Sequence, residues 1–128
     1  MAKVMNIEQI AKKAEPQVVE ISGWDNDLIA VRLKRPSMLN MASQGLIPNS
    51  LLVAAQKVFT QTVDSDISLQ DISKVMEVVV KEALVEPTWE EFEEHGLELT
   101  DDQIVEIFTY TQQGVKGLES FRSDKSDS

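Results

Sequence analysis

The only histidine of the chain lies at a position that is not typical of a catalytic residue. His95 lies in the segment Glu94-His95-Gly96, which is typical of a helix end, and an imidazole there commonly complements the carbonyl groups of the last turn. The chain contains no cysteine, so it has neither a thiolate nucleophile nor a thiolate metal site. We therefore predict that the protein is not an enzyme.

Two acidic clusters carry the oxygen ligands that hard cations prefer, but their spacing does not make a metal site. Residues 90–94 (EEFEE) belong to one predicted helix, on which adjacent glutamates point in different directions. Residues 64–66 (DSD) form a predicted turn and lack the glycine and the other ligands of a calcium-binding loop. The five glycines are scattered singly, so the sequence contains no phosphate-binding loop. It predicts no metal and no cofactor.

The charges are divided unevenly along the chain. Residues 1–62 carry seven basic and five acidic side chains, whereas residues 63–128 carry five basic and seventeen acidic ones. The basic cluster of Arg32, Lys34 and Arg35 is too short to form a nucleic-acid-binding face, and the net charge of -10 repels anionic surfaces. We predict no nucleic-acid or membrane partner. The chain has no cysteine, no secretory leader and no apolar run of about 18 residues, so we expect it in the cytoplasm.

The first third of the sequence predicts a short helix followed by a β-hairpin. Asn6 and Gln9 form a capping box for a helix over residues 7–14, which Pro16 ends. Apolar and polar residues then alternate on both sides of residues 23–27, which predicts two strands joined by a five-residue loop. The side chains expected to pack on the helices are Val19, Ile21, Val31 and Leu33, with Arg32 and Lys34 facing solvent.

From Pro36 onward the apolar residues recur at helical spacing. Helix starts are predicted at Ser37, Pro48, Ser68, Thr88 and Thr100, and the last two open capping boxes. The helix after Ser68 has a predicted core stripe of Leu69, Ile72, Met76, Val79 and Ala83. The sequence therefore predicts a mainly α fold, with a helical domain over residues 1–122 and a small N-terminal β-hairpin packed on it. A disordered polar tail is expected over residues 123–128.

The last predicted helix has apolar residues on two sides. One stripe is expected to pack on the domain and contains Ile104, Ile107, Phe108, Thr111, Val115 and Leu118. Val105, Tyr110 and Phe121 lie off this stripe, so we assign them to an exposed partner-binding patch, with Phe121 folding back into the core as an equal alternative. Trp89 is a further candidate interface anchor, and its alternative is burial against the helices.

Three stretches, taken with their order and spacing, carry a resemblance to a known family. They are VRLKRPS (31–37) running into GLIPNSLL (45–52), VEPTW (85–89), and residues 99–122, which end in Phe-Arg. They resemble the hairpin-to-helix passage, the proline-containing link and the C-terminal helix of tail assembly chaperones from long-tailed phages and prophages. The resemblance extends over residues 17–122, most of the chain.

The resemblance implies a small chaperone that has no catalytic residues. Such a protein binds the long tape measure protein, keeps it soluble and helps to recruit tail tube protein around it, and a homo-oligomer is compatible with this role. It acts in the host cytoplasm and is not part of the mature virion.

The residues alone leave a second function open, an acidic phage or host adaptor that mimics nucleic acid. A mimic would present its carboxylates in paired rows at phosphate-like spacing, whereas a chaperone would expose an apolar groove.

Overall fold

The computed structural model describes residues 2–60 and 67–126, and the side chains of the second segment as far as Gln113. Over these residues the chain forms six α-helices and a three-stranded antiparallel sheet, which confirms the predicted mainly α fold. The predicted turn over residues 64–66 lies outside the described residues. In the described part, no helix has the length and apolar content needed to span a bilayer.

The elements follow one another through short connections. The helices are α1 (Ile7–Ala14), α2 (Met38–Ser43), α3 (Leu52–Thr60), α4 (Leu69–Ala83), α5 (Trp89–Glu94) and α6 (Asp101–Ser126). The strands are β1 (Gln17–Ser22), β2 (Leu28–Leu33) and β3 (Leu84–Glu86), and a 3₁₀ turn over Asn49–Leu51 precedes α3.

The sheet contains one strand more than the predicted hairpin. β1 and β2 pair around residues 23–27, with Val19 opposite Val31. β3 pairs with the other edge of β2 and places Leu84 opposite Leu33. The sequence did not predict β3 because three residues directly after a helix are too few to show the alternation of a strand.

The hairpin packs on the helices in the predicted register. The four predicted inward side chains are all buried, and the two predicted outward ones are exposed. A slip of one residue would exchange the two sets, so this agreement tests the register directly.

Two hydrophobic clusters form the core. The sheet-side cluster contains Val19, Ile21, Val31, Leu33, Val80, Ala83, Leu84, Phe92, Leu99, Ile107 and Tyr110. The helical cluster contains Met41, Ile47, Leu51, Ala54, Ala55, Val58, Val75 and Val79, and the ring of Phe108 packs against it from α6. Both α4 and α6 therefore lie between the two clusters.

This position explains why α4 buries a different set of residues from the predicted stripe. Val79 and Ala83 are buried as expected, but Leu69 is 79% exposed, and the other buried side chains are Val75 and Val80. A single stripe assumes one neighbour, whereas α4 packs against both α3 and α6. Its buried arc is consequently wider than a stripe and centred differently.

The first and the last helix each show one feature that the sequence pattern did not predict. α1 has the predicted capping box, with reciprocal hydrogen bonds of 2.9 and 3.0 Å between Asn6 and Gln9, yet none of its residues is buried. α6 is helical to Ser126, four residues into the segment 123–128 that was expected to be disordered. A helix that has already nucleated extends at little cost in free energy. The polar composition of the tail, taken alone, takes no account of the helix that precedes it.

Candidate functional site

Tyr110 lies in the core and not on the surface. Its side chain is 2% exposed, and its hydroxyl donates a hydrogen bond to Oε1 of Gln17 at 2.8 Å. Burial raises the pKa of the phenol above its ordinary value, although the nearby Arg35 guanidinium acts in the opposite direction. The prediction that Tyr110 is exposed is therefore wrong.

Polar side chains decide which side of α6 faces the hairpin. Both backbone groups of Ser22 bind side chains of α6. The Ser22 carbonyl oxygen accepts a hydrogen bond from Nε2 of Gln103 at 3.0 Å, and the Ser22 N–H donates one to Oε1 of Glu106 at 3.2 Å. Both side chains are buried, so the inward side of α6 cannot be found from apolar residues alone. This inward side comprises Gln103, Glu106, Ile107, Tyr110 and Thr111, at the spacing of one helical face.

The other predicted partner-binding residues have different outcomes. Val105 is half-buried, and the side chain of Phe121 lies outside the described residues. Trp89 is half-buried at the start of α5, where it lines a groove in the surface. The structure does not join these residues into one patch with Tyr110.

The groove has a volume of about 200 Å³ and opens between α4, α5 and the start of α6. Phe92 and Leu99 are buried at its base, whereas Leu97 is 46% exposed. Three of its lining residues are glutamates and the other five are apolar. The residues that we call the acidic groove are Glu77, Trp89, Phe92, Glu93, Leu97, Glu98, Leu99 and Ile104.

Local signals in the sequence position the walls of this groove. The reciprocal hydrogen bonds of the Thr88–Glu91 capping box start α5, and those of the Thr100–Gln103 box start α6. Gly96 has a φ of +69°, in the left-handed region that favours glycine, and so ends α5 and redirects the chain. All three features were predicted, and all three are confirmed.

The electrostatic character of the acidic groove is negative. Glu77, Glu93 and Glu98 are its charged lining residues. A cation borders it, because Nζ of Lys81 lies 6.0 Å from the centroid of the Trp89 ring. The groove can therefore bind apolar side chains and attract positive charge beside them.

Trp24 extends the apolar surface next to the acidic groove. Its indole is 48% exposed, and its Nε1 donates to the carbonyl oxygen of Glu98 at 3.4 Å. Exposed aromatic and aliphatic side chains that lie together are characteristic of protein interfaces. Trp24 and Leu97 thus add accessible apolar surface at the mouth of the groove.

His95 ends α5, with its Nδ1 3.0 Å from the carbonyl oxygen of Glu91, which is the helix-end position that the sequence predicts. Among the described residues, no three side chains of histidine, aspartate or glutamate are grouped so that they could hold a metal ion.

A second cavity, of about 270 Å³, lies between the end of β2 and α2. Lys34 and Arg35 line it, but so does the carboxylate of Glu82. The Arg35 guanidinium is already engaged, because its Nε and Nη2 donate to the carbonyl oxygens of Thr111 and Gln112 at 3.1 and 3.0 Å. Arg35 therefore contributes to holding α6 in place through two of its guanidinium nitrogens.

Sequence reasoning found one wall of the acidic groove and missed the other. Trp89 was identified, whereas Leu97, Glu98 and Leu99 were not, because they belong to a connection without periodicity. One signal in the sequence could have identified them. Leu97 and Leu99 are apolar, although they lie in a loop between two capped helices and loops are usually polar.

No protein-family model matches the chain, and comparisons with curated proteins and with solved structures give no match either.

Proposed function

We propose that the protein is a non-enzymatic chaperone that holds an amphipathic helix of its client in the acidic groove. The observation that carries this proposal is the groove itself, with apolar side chains at its base and three carboxylates in its lining. A helix that lays its apolar side into a groove is a common mode of recognition. Basic residues beside that apolar side would meet Glu77, Glu93 and Glu98.

The client that we propose is the tape measure protein of a long-tailed phage, with the tail tube protein as a later partner. The resemblance of residues 17–122 to tail assembly chaperones supports this choice. A tape measure protein is largely a long helix whose apolar seams are exposed before assembly, so it needs cover in the host cytoplasm. Many copies bound at moderate affinity would provide that cover and still be displaced by tube subunits.

The groove also bears on the alternative, a mimic of nucleic acid. A mimic needs rows of carboxylates, whereas the acidic groove interleaves three carboxylates with five apolar side chains. This composition favours a helical protein client over a site that normally binds phosphates.

Co-expression with the tape measure protein tests the proposal. The two proteins should form a soluble complex, and Leu97→Asp should weaken it by about 2 kcal/mol, roughly thirtyfold in Kd, because docking would bury an unpaired charge. Leu69→Asp is the matched control, since Leu69 is 79% exposed at the start of α4, about two helical turns before the groove residue Glu77. Equal capture by the two variants would contradict the proposal.

The DNA around the gene gives an independent test. A reading frame in the -1 register and then a very long gene for a helical protein should follow the one that encodes this chain. Unrelated metabolic genes on both sides would contradict the choice of client and leave the groove as a site for a different helix.

A further inference from the structure

α1 is an amphipathic helix that finds no packing surface in the monomer. Its apolar side contains Ile7, Ile10, Ala11 and Ala14, which recur at i, i+3, i+4 and i+7. Ile7 is 75% and Ile10 is 46% exposed, and no residue of α1 is buried. A helix of eight residues is marginal in water even with a capping box, so α1 gains stability from a surface that covers its apolar side.

The acidic groove complements α1 in charge and in size. Lys12 and Lys13 lie in the last turn of α1, and Lys3 precedes it, while Glu8 lies in the first turn, where it complements the helix dipole. Three exposed glutamates are among the residues that line the groove. A cavity of about 150 Å³ holds a benzene molecule, so the groove volume of about 200 Å³ suits one or two aliphatic side chains such as Ile7 and Ile10.

In the structure α1 lies outside the groove of its own chain, because the groove lining contains no residue of α1 and no residue of α1 is buried. Only Glu15 and Pro16 join α1 to β1, so Ile10 can lie at most about 17 Å from Gln17. The groove lies at the other end of β1, where Trp24 contacts Glu98, and a six-residue strand spans about 20 Å. With α1 held at the Gln17 end of β1, as in the structure, the groove that it meets belongs to another molecule.

We propose that α1 of one copy docks in the acidic groove of a second copy. The two surfaces differ, so the contact either is reciprocal between two copies, which gives a two-fold dimer, or continues into rings or open chains. The same groove would then be shared by α1 and by the client, and client binding would release the self-association. The proposal uses the groove assigned above but does not require the client to be a tape measure protein.

Sedimentation velocity on the full chain and three variants tests this proposal. The parent should associate with rising concentration, and higher salt should weaken the association. Two double variants should each stay monomeric when alone. Ile7→Asp with Ile10→Asp places charges on the apolar side of α1, and Glu93→Lys with Glu98→Lys reverses two charges of the groove. Mixed together they should form a one-to-one complex, because one retains the groove and the other retains α1. The control variant Leu69→Asp should associate like the parent.

Two results would overturn the inference: a parent that remains monomeric up to about 1 mM, or association that persists after Ile7→Asp with Ile10→Asp. All of these substitutions are at exposed positions, and circular dichroism checks that the fold is unchanged. Client capture is measured separately. The α1 variant should capture client at least as well as the parent, so a loss of client binding by all chains would reject the proposed function without touching this inference.

Discussion

The two sides of α6 are packed differently against the rest of the chain. The inward side meets backbone groups of the hairpin, where Gln103 and Oε1 of Glu106 have hydrogen-bond partners, whereas Oε2 of Glu106 is buried without one among the described residues. The side that carries Ile104 faces the acidic groove, where, among the described residues, Trp89 is only half-buried and Leu97 is 46% exposed. Contacts with other groups of the same chain, and not apolar character, therefore distinguish the structural side of α6 from the candidate binding side.

The largest expected effect is on the free energy of unfolding, when one side chain on each side of α6 is truncated to alanine. Tyr110→Ala should lower the free energy of unfolding by about 3 kcal/mol or more, because it removes a buried ring and its hydrogen bond to Gln17. Val105→Ala, on the half-buried flank, should cost about 1 kcal/mol or less. Chemical denaturation measures both values. Similar losses for the two variants would mean that the inward side is not the structural one.

A smaller effect tests the polar part of the inward side. Gln103→Leu should cost about 1–2 kcal/mol, because it removes the hydrogen bonds to the Thr100 N–H and to the Ser22 backbone oxygen while the latter stays buried against α6. Gln70→Leu, at an exposed position of α4, is the control and should change stability by about 0.5 kcal/mol or less. If Gln103→Leu were the more stable of the two, apolar packing and not these hydrogen bonds would hold the hairpin.

The smallest effect is a pH dependence that belongs to Tyr110. Its pKa is raised in the folded protein by burial, so above about pH 10 the unfolded chain loses the phenolic proton more readily than the native one. Stability should therefore fall as pH rises through the window between the unfolded and folded pKa values, and Tyr110→Phe should lack this component. Tyr110 is the only tyrosine, so the tyrosinate absorbance reports the folded pKa directly. Identical pH profiles for parent and Tyr110→Phe would contradict the burial.

Local chemistry made much of the fold predictable from the sequence. The capping boxes at Asn6, Thr88 and Thr100, the stop at Gly96 and the alternation in the hairpin depend on residues a few positions apart. Gln103 marks where this reasoning ends. Its role in the cap was predicted, but its burial depends on Ser22, which lies 81 residues away.

The same limit explains why only part of the candidate site was predicted. Trp89 was found because a large aromatic beside a helix start is conspicuous. Tyr110 was misplaced because its partner Gln17 precedes it by 93 residues. Leu97 and Leu99 carry no periodic signal, so their convergence on Ile104 becomes visible only when α5 and α6 are placed together.

Emission from Trp89 tests most directly whether the acidic groove is the binding surface. Trp24→Phe leaves Trp89 as the only tryptophan, and a tape measure fragment without tryptophan can then be titrated into the full chain. We predict a saturable change in Trp89 emission, whose midpoint Leu97→Asp moves to a roughly thirtyfold higher fragment concentration and Leu69→Asp leaves unchanged. Co-sedimentation of the fragment with no change in Trp89 emission would show that the client binds elsewhere and would contradict the account.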